Sequence, residues 1–124
     1  MNAGLRRTAG SEGERAAEAF LRERGYHVLE RNFRCRSGEV DLIALDGGTL
    51  VFVEVKTRRS LKRGAPIEAV TPLKQARVRK AAQEYLAYSG QVFGRIRFDV
   101  IAVMKAARSN EITHLKSAFT TPME

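Results

Sequence analysis

Asp41, Glu54 and Lys56 make the strongest chemical pattern in the chain: an acid, a second acid, and a lysine two positions beyond it, within GEVDLIALDGGTLVFVEVKTRR at residues 38–59. Paired carboxylates offer hard oxygen ligands of the kind that Mg²⁺ or Mn²⁺ takes. A divalent cation held there would polarise a phosphoryl oxygen and lower the pKa of a bound water, while the ammonium would steady the attacking hydroxide or the developing negative charge. Together they form a working set for phosphodiester hydrolysis.

The same stretch predicts the elements that must position these groups. Residues 39–46 and 49–57 are rich in Val, Ile, Leu and Phe, and Gly47-Gly48 between them suits a tight two-residue turn, so a β-hairpin is expected. If Asp46 faces Thr49 across the turn, Asp41 faces Glu54 and Glu39 faces Lys56, with all four side chains on one sheet face. Opposed Cβ atoms lie roughly 4.5–5.5 Å apart, where two like charges destabilise a sheet. A shared proton, a neighbouring cation or a bound metal must then offset the repulsion. A solvated face with Lys56 as neutralising neighbour would carry the same letters. However, Val51, Val53 and Val55 on one face, and Leu50 and Phe52 on the acidic one, predict a strand buried on both sides.

The chain has 124 residues, 44% of them hydrophobic, enough for one core and too few for two. Residues 1–10 lack periodicity and are expected to form a flexible arm, with residues 11–124 as a single domain. Lys and Arg outnumber Asp and Glu by 22 to 14, a net charge of +8 that favours nucleic acid over a membrane as partner. No apolar run approaches the roughly 18 residues of a membrane span, and the N-terminus has no signal-peptide core, so a cytoplasmic protein is expected. A lone Cys35 excludes an intramolecular disulfide and a cysteine zinc cluster. His27 and His114 lack ligand spacing and are expected to be ordinary surface or strand residues.

Ser11 and Glu14 form a capping box for a helix that ends at Gly25, with Ala16, Ala17, Phe20 and Leu21 as its apolar stripe. Glu14 has two readings: reaching back to that cap, or standing as a further carboxylate near the metal if the helix N-terminus faces the hairpin. A strand at residues 26–33 precedes the hairpin, and a basic loop with Gly and Pro follows it. Thr71-Pro72 opens a second helix that stops at Gly90, and strands are expected at residues 95–104 and 111–116. Arg34 and Arg36 on one side, and Arg58, Arg59, Lys62 and Arg63 on the other, leave the Lys56 end of the hairpin, where they would hold phosphates. Lys74 would join them if its helical turn faces the cleft. Asp99, inside an apolar strand, is read as a structural hydrogen-bond acceptor or as a contact behind the metal ligands.

The residues G-x-x-G-E at 10–14, ERNFRCRSGEVDLIALD at 30–46, VFVEVKTR at 51–58, the helix bearing Lys74, and RFDVIAV at 97–103 span nearly the whole chain. In these the sequence resembles the small bacterial YraN-like family, which is similar to the PD-(D/E)XK nucleases and, among them, to archaeal Holliday-junction resolvases. The resemblance implies an α/β fold, a restriction-endonuclease-like mixed β-sheet flanked by helices in the order α-β-β-β-α-β-β. It matches the metal-binding acids to Asp41 and Glu54, the catalytic lysine to Lys56 and the resolvases' helix glutamate to Glu14. The proline of the PD pair is Val40 here, which leaves the chemistry untouched because proline supplies no ligand.

The leading expectation is therefore an endonuclease dependent on Mg²⁺ or Mn²⁺ that cleaves DNA, branched or damaged DNA included. Asp41, Glu54 and the main-chain carbonyl of Val55 would hold the metal, Lys56 would orient or activate water, and Glu14 would assist. The alternative is a nucleic-acid-binding module that keeps the fold without cutting. A scaffold that pairs only through a strand edge leaves the +8 charge unexplained. A homodimer would suit a two-fold symmetric substrate.

Overall fold

A computed structural model describes residues 12–59, 66–106 and 108–120. Helix α1 (Glu12–Glu23) is followed by strands β1 (His27–Cys35), β2 (Gly38–Asp46) and β3 (Thr49–Arg58). A short 3₁₀ turn (Pro66–Ala69), helix α2 (Pro72–Ser89), β4 (Arg95–Met104) and β5 (Glu111–Phe119) complete the order. This is the expected α/β arrangement, α-β-β-β-α-β-β. Strand β5 runs three residues further than the sequence suggested, and the 3₁₀ turn lies inside the segment read as loop. The arm at residues 1–10, the Ser11 cap, Lys62 and Arg63 lie outside the described residues. Among the described residues no helix is long and apolar enough to cross a membrane.

The strands form one sheet in the order β1-β2-β3-β4-β5. All neighbours are antiparallel except β3 and β4, which run parallel and are joined through α2. A parallel pair needs such a crossover, which covers a sheet face as it returns. Helix α2 begins as its sequence demands: the Thr71 hydroxyl accepts from the Lys74 amide at 3.2 Å, Pro72 opens the first turn, and Gly90 ends the helix at φ 68°.

Each helix buries one sheet face. On the α2 side Val78, Ala81, Ala82 and Tyr85 pack with Ile43, Leu50, Phe52, Phe98 and Val100. On the α1 side Ala17 and Leu21 pack with Leu42, Ala44, Val51, Val53, Ile101 and Val103. Strand β3 is thus buried on both faces, as its uninterrupted apolar run predicted.

Two glycines let the helices approach the hairpin closely. A Cβ on Gly38 would overlap the Arg77 carbonyl oxygen and stand 2.9 Å from the Ala81 amide nitrogen, so β2 starts against the α2 backbone. A Cβ on Gly13 would overlap the Thr57 hydroxyl, so the first turn of α1 lies against the end of β3. Backbone cannot yield as a side chain can, and Gly38→Ala is expected to cost about 2–3 kcal/mol or more. Gly13→Ala, opposed by one rotatable hydroxyl, should cost less. Urea melts of the two variants check the order.

Candidate active site

The hairpin has the register expected from its glycine turn: Asp46↔Thr49, Leu45↔Leu50, Ala44↔Val51, Ile43↔Phe52 and Leu42↔Val53. The ladder ends there, one position before Asp41 and Glu54. Asp41 Oδ2 instead accepts the Val55 main-chain N–H at 2.8 Å, so a carboxylate stands where a strand carbonyl would. In an extended strand the N–H and C=O of one residue point to the same neighbour, which aims the Val55 carbonyl toward the same opening.

Strand β2 also changes faces at this point. Val40 packs in the α2-side core and Leu42 in the α1-side core, an interval across which simple alternation would keep them together. On β1, Arg31 pairs with Leu42 and Phe33 with Val40. Between them Asn32 adopts φ 50°, a left-handed conformation for which asparagine is better suited than most residues. The expectation of four side chains on one face is corrected accordingly. Glu54 and Lys56 share the α2 side with Phe52, while Asp41 sits at the switch. Glu39 pairs with Arg34 at 3.7 Å rather than facing Lys56, because the ladder that would have aligned them has opened.

The acids meet electrostatically. Burial, then the charge of Glu54, push the Asp41 carboxyl up to about 8, against the Val55 N–H and Lys56, which favour the charged form. Burial also raises Glu54, against the opposing charges of Lys56 and Lys74. Lys56 Nζ lies 3.7 Å from Glu54 Oε2, and the Lys56 side chain is 15% exposed. Glu54 Oε1 is buried with no hydrogen-bond partner among the described residues.

A buried carboxylate oxygen without a donor is costly unless a cation reaches it. The donor set here is two carboxylates with a main-chain carbonyl aimed at them. That fits Mg²⁺, which keeps several waters and takes one or two carboxylates. Among the described residues no group of three or more His, Cys, Asp and Glu side chains is placed to hold a metal.

Burial of the pair sets the sign of its pH dependence. Both folded carboxyls favour the protonated form, so over the window in which the unfolded chain has released these protons the fold still binds them. The associated stability is full below about pH 4, is lost as pH rises, and is gone above the Asp41 value of about 8. Metal-free protein is expected to lose on the order of 10 °C of melting temperature between pH 5 and pH 8 relative to Asp41→Asn, whose amide oxygen can still accept the Val55 N–H. Parallel melts in chelator check this, and coincident curves would remove the buried pair.

The remaining predicted residues fall at graded distances. Glu14 accepts from Asn32 Nδ2 at 3.3 Å, and its charge adds to the upward pressure on Asp41, so the N-terminus of α1 does face the hairpin. Lys74, exposed in the first turn of α2, acts electrostatically on Glu54. Arg34, Arg36 and Arg59 are exposed. Arg58 is half-buried: Nη1 donates to the carbonyl of neighbouring Thr57 at 3.3 Å, and Nε is buried without a partner among the described residues. It is less available to a phosphate than its sequence position implied.

Asp99 is a structural acceptor and lies on the opposite sheet face from Glu54. It packs on the α1 face with Ile101 as its strand-mate, opposite Glu54, and is held by Arg97, His114 and the Ser117 amide. His114 is a strand residue of β5, as expected, with its side chain 8% exposed where it meets Asp99. Asn32 is a residue that the sequence pattern alone did not single out. An Asn inside ERNF, between Arg31 and Phe33 in a predicted strand, was the available signal, because asparagine tolerates positive φ.

Comparison with known proteins gives a single family. A profile described as "Uncharacterised protein family UPF0102" matches residues 13–103. Relatives each named "UPF0102 protein" include one from Chlorobium chlorochromatii, 52% identical with 89% of each chain covered. Another from Chlorobaculum parvum is 48% identical, covering 89% of this chain and 90% of its own. A third, from Rhodococcus jostii, is 50% identical and covers 89% of this chain and 94% of its own.

Proposed function

This chain belongs to the uncharacterised protein family UPF0102, and for it we propose a nuclease-like hydrolase, dependent on Mg²⁺ or Mn²⁺, that cuts phosphodiester bonds in DNA. The observation that carries this reading is the pair formed by buried Glu54 and half-buried Asp41 at the point where the β2–β3 ladder opens, with Glu54 Oε1 unpartnered among the described residues and Lys56 alongside. The +8 charge supports a polyanionic substrate. Resemblance to the PD-(D/E)XK nucleases, in which an acid, a second acid and a lysine recur, supports the same choice.

In this reading Asp41, Glu54 and the Val55 carbonyl hold the divalent ion, which when bound supplies Lewis-acid polarisation of the phosphoryl oxygen and a more acidic water. Asp41 is fixed by the Val55 N–H, so one of its oxygens keeps a set direction before any ion arrives. Lys56 offers an ammonium beside the acids, able to orient a water and to stabilise charge on the phosphate. Glu14, through Asn32, steadies the backbone at the position where β1 and β2 change faces. Arg34, Arg36, Arg59 and Lys74 supply exposed cations for the flanking phosphates. Lys62 and Arg63, outside the described residues, are assigned to the same role from the sequence alone.

The test offers purified protein linear, flapped and four-way DNA with Mg²⁺ or Mn²⁺, alongside Lys56→Ala. Metal-dependent cleavage by wild type, greatly reduced in the variant, is the expected result. Equal background cleavage by both, with salt-dependent binding intact, would leave a nucleic-acid-binding module in place of an enzyme.

A further inference from the structure

Beyond the acid pair, cations gather in one more place. A depression of about 590 Å³ is lined by Arg15, Arg59, Lys105 and Arg108, with Glu12 as the one carboxylate among the described lining residues and with Ser109 and Asn110 on its wall. The four cations come from three segments: the first turns of α1, the residue after β3, and the β4–β5 turn. Sequence neighbours on a solvated surface would not converge in this way. Glu12 bonds to Lys105, and the hydrogen bond and charge of Lys105, then the charges of Arg15 and Arg59, hold its carboxyl below the ordinary range. Among the described residues that line the hollow, cations outnumber the acid, a local excess of positive charge that attracts an anion.

The hollow adjoins the proposed site. Gly13, beside Glu12, lies against Thr57, the residue after Lys56, and the Lys105 amide donates to the Arg58 carbonyl at 2.8 Å. From Lys56 to Arg59 the chain advances three strand residues, roughly 10 Å. Guanidinium groups paired with a lysine and with Ser and Asn donors are the chemistry that phosphate oxygens select.

We propose that this depression is a phosphodiester subsite, in which Arg15, Arg59, Lys105 and Arg108 hold the backbone of a nucleic-acid strand that leaves the Asp41 and Glu54 centre. The proposal rests on the nucleic-acid reading above and adds Arg15, Lys105 and Arg108 to its contacts. The strand enters as a chain of phosphates with no base readout, so the subsite contributes affinity and register rather than sequence preference.

The test is fluorescence anisotropy of a labelled single-stranded oligonucleotide, in Ca²⁺ to avoid turnover, across a series of salt concentrations. Wild type is compared with Lys105→Gln/Arg108→Gln and with a control, Arg95→Gln/Lys116→Gln, which removes the same charge elsewhere on exposed positions. The Lys105/Arg108 variant is expected to bind about 5- to 10-fold more weakly near 0.1 M salt, with a log–log salt slope shallower by about 1.4, and the control to track wild type. Circular dichroism melts confirm that the variants fold, and Arg108→Gln alone provides a milder second variant with about half the change in slope. Equal slopes for wild type and both hollow variants, or an equal loss in the control, would overturn the subsite while leaving the acid centre standing. Absence of binding by wild type would instead overturn the nucleic-acid reading itself.

Discussion

Lys56→Ala is expected to lower DNA cleavage at saturating Mn²⁺ by about 10²- to 10³-fold, the size associated with removing one preorganised electrostatic group. The lysine has two effects that the experiment separates. It lies 3.7 Å from Glu54 and works against the burial that raises this carboxyl, so its loss should leave the acids more fully protonated near neutral pH. Metal binding then weakens at pH 7 and recovers as pH rises, because deprotonation is what the metal requires. A rate deficit confined to metal binding would vanish at high pH and high Mn²⁺; a catalytic role for the ammonium would persist there. Calorimetric titration with Mn²⁺ at pH 7 and pH 9, run beside single-turnover cleavage, distinguishes them. Rates restored to wild type at pH 9 would reduce Lys56 to a counter-ion for Glu54.

The largest loss of stability is expected at Asp99, on the other face of the sheet. Its carboxylate has no solvent exposure and is engaged by Arg97 at 2.9–3.2 Å, by His114 at 2.7 Å and by the Ser117 N–H at 3.0 Å. Burial alone would raise its pKa, but the hydrogen bonds from His114, Arg97 and Ser117 outweigh it and the net shift is downward. Arg97 also bonds to Asp46 at 3.1 Å and Tyr26 at 2.8 Å, tying the hairpin end and the α1–β1 junction to β4. Asp99→Ala would leave a largely buried guanidinium without its main partner, a change that costs about 3–5 kcal/mol. Against a whole-domain stability of roughly 5–15 kcal/mol, that is enough to unfold much of the protein near 37 °C.

The pH dependence has the opposite sign to that of the acid pair. A lowered folded pKa contributes stability that is present above the unfolded value near 4 and is lost as pH falls through the folded one. The gap in melting temperature between wild type and Asp99→Asn should therefore close below about pH 4. Cleavage by the folded fraction should survive, because Glu54 and Asp99 face opposite sides of β3 and β4. Wild-type melting in Asp99→Ala would show that the network contributes nothing to the fold.

Local signals in the chain were enough to lay out the elements and the register of the central hairpin. The period-2 apolar runs, Gly47-Gly48, the Thr71-Pro72 start and the Gly90 stop each depend on backbone conformations that a few adjacent residues dictate. Those signals also brought Asp41 and Glu54 to adjoining positions. How the two acids meet was settled by packing. The face switch at Asn32 and Asp41 depends on two cores pulling Val40 and Leu42 in opposite directions, and periodicity within one strand carries no trace of a neighbour's demands. The choice between the two readings of Glu14 was also left to the fold, while the contact of His114 with Asp99 and the convergence of Arg15, Arg59, Lys105 and Arg108 were invisible in the chain. Polar side chains choose partners across folded distances, and the physical cause is desolvation, which acts only once helices and sheet have closed around them.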